Sequence, residues 1–267
     1  MKVNYGYIPP VPKDEDYVFG ASRLPTIPVL PDGNWWPFIP LYEPQTLESG
    51  EDTHGCTVWG TENGLETYLK HLTGKEWNFS ERFLYILMHL RPPGGDPFKV
   101  GEAIRNNGVP NHEDLPFTKT FDEFIQPDPL PETLIQKAKL FTDKYDFKHE
   151  YVFHGPFINP EEKRRRITAA LKCSPLGVSL FAWEIDENGL YYRPEGEPDT
   201  HWCLLIKEEA DCDIILDSYD HSIKKVRKDM NYGVCIRYYV KEKFATPIST
   251  STSFFTRLLT FLKTLLP

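Results

Sequence analysis

The sequence predicts an α+β fold, helical in its first half and β-rich in its second. Two patterns carry this. Between Cys56 and Gly108 apolar residues recur three or four apart, whereas from Gly177 to Val240 the apolar runs are β-branched and aromatic and bounded by turn residues. A third observation is bulk: 267 residues, 40% apolar and 14% aromatic, suffice for an extensive core.

Residues 1–40 hold Pro9-Pro10, Trp35-Trp36 and many isolated prolines without helical period, so they read as an extended arm laid along the folded body and anchored by aromatics. The stretch 45–74 is the centre of the chain. It predicts a helix with Asp52 or Thr53 as N-cap, Val58, Leu65, Leu69 and Leu72 on one face, and Gly74 as the stop. Cys56 then falls in the first turn, where unpaired N–H groups and the positive end of the helix dipole favour a thiolate nucleophile. A free cysteine is equally at home as a small buried hydrophobe.

A second helix follows, capped by Ser80, with Phe83, Leu84, Leu87 and Leu90 as its face and Pro92 as its end. The loop 91–97 contains Gly94 and Gly95, which form a plain turn or let another chain approach closely. It leads to a third helix closed by Gly108. Residues 114–136 are loop-rich and then briefly helical. Asn159-Pro160-Glu161-Glu162 is a strong helix start, and the basic run 163–166 reads as a solvated face.

Strands are predicted over 177–185, 201–206, 213–219 and 232–240. His201 opens one and Asp217 lies near the end of the next, across the turn EEADCD, so antiparallel pairing would set imidazole and carboxylate side by side. Each residue alone is as readily a surface histidine or a turn-capping aspartate.

A net charge of −9 without a charge block argues against a nucleic-acid face. Five cysteines, an odd number without CxxC spacing, do not read as a disulfide framework or zinc ribbon. A metal site from His54, Cys56, His201 and Cys203 lacks the usual zinc spacings, and His112, His154 and His221 read as surface histidines. The start MKVNYGYIPP has no signal-peptide core and no run reaches membrane-span length, so synthesis in the cytoplasm is expected. The last residues, 247–267, read as a polar linker and an amphipathic helix that docks on a protein partner, a sister subunit or a membrane surface.

The order of these features resembles the papain-like cysteine peptidases, over about residues 24–240. GCTVW stands where that family's cysteine opens its central helix, and ENGLE resembles the glutamate-bearing continuation. Gly94-Gly95-Asp96-Pro97 resembles its Gly-Gly-x-Pro substrate strand, Gly108-Val109 its following Gly-Val turn, and Asp217-Ser218-Tyr219 its Asn-Ser-Trp. Glu43-Pro44-Gln45 is similar to the Glu-x-Gln of divergent members encoded by tailed bacteriophages, and virion association would follow from that kinship.

The resemblance implies two lobes, a helical one at about 50–125 and an antiparallel β lobe at about 126–240, with the active-site cleft between them inside a domain spanning 41–246. It implies hydrolysis of peptide bonds in a peptide or protein substrate, without cofactor or metal. Cys56 would be the nucleophile, His201 the acid–base and Asp217 its orienting partner. Gln45 and the Cys56 N–H would form the oxyanion hole; Gly94 and Gly95 would pair with substrate, Asp96 and Thr200 would lie near specificity pockets, and Tyr219 would shield the His–Asp pair.

Three departures stand out. The full cysteine signature is absent, Asp217 replaces asparagine, and Gln45 reaches the cysteine only if residues 46–52 form an inserted loop. Two alternatives share the residue order: a transglutaminase-like enzyme or cell-wall peptide amidase, and a catalytically silent binding or structural relative. The glycine-pair loop and the long helical segment favour the papain-like reading over a compact amidase.

Overall fold

The computed structural model describes residues 6–13, 16, 18–21, 24–155, 158–181, 183–219 and 222–243. The linker and helix expected over 247–267, and His221, lie outside them. No helix among the described residues is long and apolar enough to cross a membrane.

The central helix α1 (Cys56–Thr73) is buried along nearly its whole length, from Cys56 to Leu69. Its start departs from expectation: Gly55 is the N-cap, while Asp52 accepts from His54 N at 2.8 Å and Thr53 Oγ1 from Gly55 N at 3.2 Å. Gly74 closes it in the left-handed region. Val58, Leu65 and Leu69 are in the core; Leu72 is 46% exposed because it lies past the buried turns.

Helix α2 (Glu81–Leu87) has its predicted Ser80 cap but ends well before Pro92. Between it and α3 (Pro97–Asn107) runs the two-residue strand β2 (Gly94–Gly95), which pairs in parallel with β1 (Gly6–Tyr7) from the arm. Two further helices, α4 (Phe121–Phe124) and α5 (Glu132–Lys144), lead into the long strand β3 (Tyr145–His154), which sequence patterning does not reveal. Helix α6 (Pro160–Leu171) starts with the expected Asn159 cap, its side chain accepting from Glu162 N at 2.8 Å.

The remaining strands are β4 (Leu176–Leu180), β5 (Glu184–Ile185), β6 (Tyr191–Tyr192), β7 (His201–Glu208), β8 (Cys212–Asp217), β9 (Ser222–Arg227) and β10 (Val234–Glu242). With β3 they form one eight-stranded sheet, ordered β3-β10-β4-β7-β8-β9-β6-β5, antiparallel except where β6 meets β9. The single strand predicted over 177–185 is two, interrupted after Leu180.

Helix α1 packs on β7 and β10. Gly60 and Gly64 allow the approach, since a Cβ at either would come within 2.7 Å of Trp202 or 2.6 Å of Tyr238. Buried aromatics dominate this interface, each removing roughly 150–250 Å² from water, a gross gain on the order of 4–6 kcal/mol at about 25 cal/mol per Å². All five cysteines are buried free thiols.

The arm is extended and tied down. Trp35 is fully buried and its indole N–H donates to Leu171 O at 2.6 Å; Phe19 N donates to Tyr151 O at 2.6 Å, and Arg237 holds Pro25 O at 2.9 Å. The basic run is only partly the solvated face expected. Lys163 is buried on Asn231 and Tyr232 O, and Arg164 reaches the buried Asp213 at 2.8 Å, because this side of α6 rests on the sheet.

Candidate active site

Three elements bring the predicted residues together. Cys56 opens α1, His201 opens β7 and Asp217 ends β8, and the antiparallel β7–β8 ladder sets the last two on neighbouring strands. His201 Nε2 lies 2.8 Å from Asp217 Oδ1, with both side chains fully buried. A carboxylate only accepts, so Nε2–H donates, and Nδ1 of a neutral ring is left as the basic nitrogen.

Asp217 is a strongly held anion. Burial alone would raise its pKa, but His201 and Lys224 outweigh that and drive it far below the usual carboxylate range. Lys224 Nζ sits 2.5 Å from Asp217 Oδ2, and Tyr219 N donates to Oδ1 at 2.8 Å.

Cys56 is wholly buried, and its thiol receives backbone hydrogen bonds from Trp202 and Thr57. The contact with Trp202 sets the sulfur beside the residue that follows His201. Its pKa departs from the lowered value expected at a helix start. Burial, aided by the negative charges of Asp52 and Asp217, pushes it well above the ordinary thiol value despite those two hydrogen bonds. In this conformation Cys56 is a protonated thiol.

The covering is the arm. Tyr7 is buried, lies parallel to the Trp202 ring at 5.9 Å, and is electrostatically linked to Cys56; Ile8 N donates to Gly95 O at 2.7 Å. Gly6 has φ 104°, and a Cβ there would lie 2.0 Å from His54 O, so only glycine fits against the turn that introduces Cys56.

Residues 46–52 do form a loop. Thr46 bridges Asp52, and Thr53 N donates to Gln45 O at 3.3 Å, which brings Gln45 next to the start of α1. The Gln45 amide is fully buried: Nε2 donates to Asp52 at 2.8 Å and Oε1 accepts from Ser218 Oγ at 3.0 Å. It therefore ties the residue after Asp217 to the segment before Cys56. Asp96 serves as the N-cap of α3, accepting from Phe98 N at 2.9 Å. Thr200 Oγ1 accepts from Trp183 Nε1 at 2.9 Å.

Sequence reasoning missed two residues. Trp183 lies 4.9 Å from the His201 ring, nearer than Tyr219 at 6.5 Å, so it is the closer of the two aromatic covers. Lys224 neutralises Asp217 while stacking on Trp183 and Tyr191 at 5.3 and 4.8 Å. The only sequence signal for Lys224 is the alternation of β9, which turns one of two adjacent lysines inward.

A metal is ill suited here. Ligand atoms of His201, Cys203 and Asp217 lie within 4.8 Å of one another, but the His–Asp pair is already hydrogen-bonded and the Lys224 ammonium occupies the cation position. Another such group, Glu209, Asp211 and Cys212, sits where the β7–β8 turn enters β8, and Lys207 already pairs there with Glu209.

No protein-family model and no curated protein matches the chain. Solved structures do. Digestive procathepsin L 3 of the Tenebrio molitor larval midgut aligns at 13% identity and TM-score 0.58, covering 88% of this chain and 76% of its own. Xylellain, a cysteine protease from Xylella fastidiosa, aligns at 14% identity and TM-score 0.58 over 91% of this chain and 97% of its own. The Carica candamarcensis cysteine protease CMS1MS2, solved with E-64, aligns at 15% identity and TM-score 0.52 over 77% and 96%. The helix headed by Cys56 and the sheet bearing His201 and Asp217 are thus arranged in the papain-like cysteine protease fold.

Proposed function

We propose that the chain is a cysteine peptidase acting through Cys56, His201 and Asp217, with its arm lying over the nucleophile. The observation that supports it most is the buried 2.8 Å His201–Asp217 pair, joined to Cys56 through the thiol's contact with the Trp202 backbone. His201 Nδ1 takes the thiol proton, and the thiolate adds to an amide carbonyl. The C–N bond breaks as the imidazolium protonates the leaving amine. Water, deprotonated by His201, then cleaves the thioester and restores the thiol. The Cys56 N–H and Gln45 are placed by this reading at the developing oxyanion.

Gly94 and Gly95 would bind an extended peptide by strand addition, at the position now taken by Gly6–Tyr7. Substrate entry therefore requires the arm to leave. Kinship with bacteriophage enzymes and virion association rest on Glu43-Pro44-Gln45 upstream of the helix headed by Cys56.

The test is labelling with a thiol-reactive peptidyl electrophile across pH. Wild type should react slowly at Cys56. Gly6→Val, which drives a side chain into His54 O, should unseat the arm and raise the rate by about tenfold or more, while Gly6→Val combined with Cys56→Ala should not label there. Adding His201→Ala to Gly6→Val should return Cys56 to the reactivity of an ordinary thiol. If Gly6→Val and Gly6→Val/His201→Ala label alike, the site is not an activated pair and the silent-relative reading replaces this one.

A further inference from the structure

Away from the cysteine, α1 also carries Glu62 and Glu66, one turn apart and both buried, at 0% and 3% exposure. Glu81, the first residue of α2, is 2% exposed. Both carboxylate oxygens of Glu62 and Oε2 of Glu81 have no hydrogen-bond partner, and among the described residues no lysine or arginine pairs with Glu62, Glu66 or Glu81. Buried carboxylates without a counter-charge are costly, and folded proteins supply a cation or a proton.

Two residues from outside these helices complete the cluster. Asn78 Nδ2 donates to Glu43 Oε1 at 2.8 Å, and Asn78 O accepts from His112 N at 2.9 Å, so one residue positions both. Glu43 Oε2 then lies 3.1 Å from His112 Nδ1, yet neither atom makes a hydrogen bond. They are close without being aimed at each other. Two ligands bound at about 2.0–2.1 Å with a tetrahedral angle between them stand roughly 3.3 Å apart, which this spacing approaches. Ligand atoms of Glu43, Glu81 and His112 all lie within 4.8 Å of one another.

We propose that Glu43, Glu81 and His112 bind a divalent transition-metal ion of the zinc class, with the buried Glu62 carboxylate supplying further negative charge around it. An imidazole with carboxylates selects zinc, cobalt or iron over magnesium, which prefers all-oxygen shells. The Glu43 and His112 side chains are 18% and 21% exposed, which leaves a way in at the rim. The role is structural. The ion would join α2 and the turn at 112 to the segment that, two residues after Glu43, delivers Gln45 to the start of α1. His112, read from sequence as a surface histidine, becomes a ligand.

The experiment uses the full chain carrying Cys56→Ala, so that the thiol beside His201 takes up no metal, after dialysis against a chelator. Zinc is added with calorimetric and elemental readout, and cobalt(II) with visible absorption. One ion per chain, four-coordinate cobalt bands and a rise in Tm are expected. His112→Ala and Glu81→Gln should each weaken binding by about 100-fold or more and remove the Tm rise, whereas Cys203→Ser should change neither. Should Glu81→Gln not fold, His112→Ala at the rim decides. No uptake by the parent, or uptake of equal affinity in His112→Ala, would overturn the proposal.

Discussion

Two groups of buried charge border α1, and they solve the same problem differently. At Asp217 the carboxylate is enclosed by His201 and Lys224 at 2.8 and 2.5 Å, and every close contact is supplied by the chain. At Glu62, Glu66 and Glu81 the carboxylates lie together without a basic partner. Internal compensation yields a preorganised ion pair that is complete as soon as the chain folds. A cluster lacking it depends on protons or on a bound cation, and so on conditions.

The largest expected effect comes from breaking the compensated side. Lys224→Met strips the buried Asp217 carboxylate of its ammonium partner and should cost about 3–5 kcal/mol in chemical denaturation. Its pH signature follows from the lowered Asp217 pKa. The stability that this group contributes is fully present above its unfolded pKa, about 3.9, and is lost only as pH falls through the lower folded value. In Lys224→Met the folded value climbs back, so the acid-unfolding midpoint should move to higher pH. Asp217→Asn alone should also destabilise, by taking the carboxylate from the buried ammonium, and the Asp217→Asn/Lys224→Met double variant should recover much of the loss. Additive losses would mean that the two residues are not coupled.

A smaller change, of opposite sign, is expected on the uncompensated side. Glu62→Leu removes two buried oxygens without partners and should stabilise the chelator-treated protein by about 0.5–2 kcal/mol. A destabilised Glu62→Leu would show that those oxygens are satisfied in solution. Smallest of all is Arg165→Ala. Among the described residues Arg165 pairs only with Glu162, one of its neighbours on α6, and its side chain is 74% exposed, so no change in Tm is expected. Arg164→Ala, which strips Asp213 of a contact at 2.8 Å, should lower Tm clearly.

Residues with a local pattern were legible and residues placed by convergence were not. Cys56 stands at a helix start, and His201 and Asp217 are separated by a turn that dictates pairing, so spacing alone brought each to its element. Gln45 reached the start of α1 because residues 46–52 loop out, the condition on which its placement depended. Strand β3 escaped because it follows α5 directly, with no turn residue between Lys144 and Tyr145. Trp183 sits outside any strand just after β4, and Lys224 is one of two adjacent lysines, so neither carries a period. Glu43, Glu81 and His112 come from three separate segments and meet only in three dimensions.

The pairing of β1 with β2 has a kinetic consequence. An occupant tethered to its own groove is present at a fixed effective concentration, typically in the millimolar range for a flexible link, whatever the protein concentration. Dilution would not release it, in contrast to a separate inhibitor that dissociates. A peptide substrate of the proposed enzyme would face an apparent affinity reduced by the fraction of time the groove is filled. That fraction is a property of the chain itself, set by how firmly Gly6 and Tyr7 are seated.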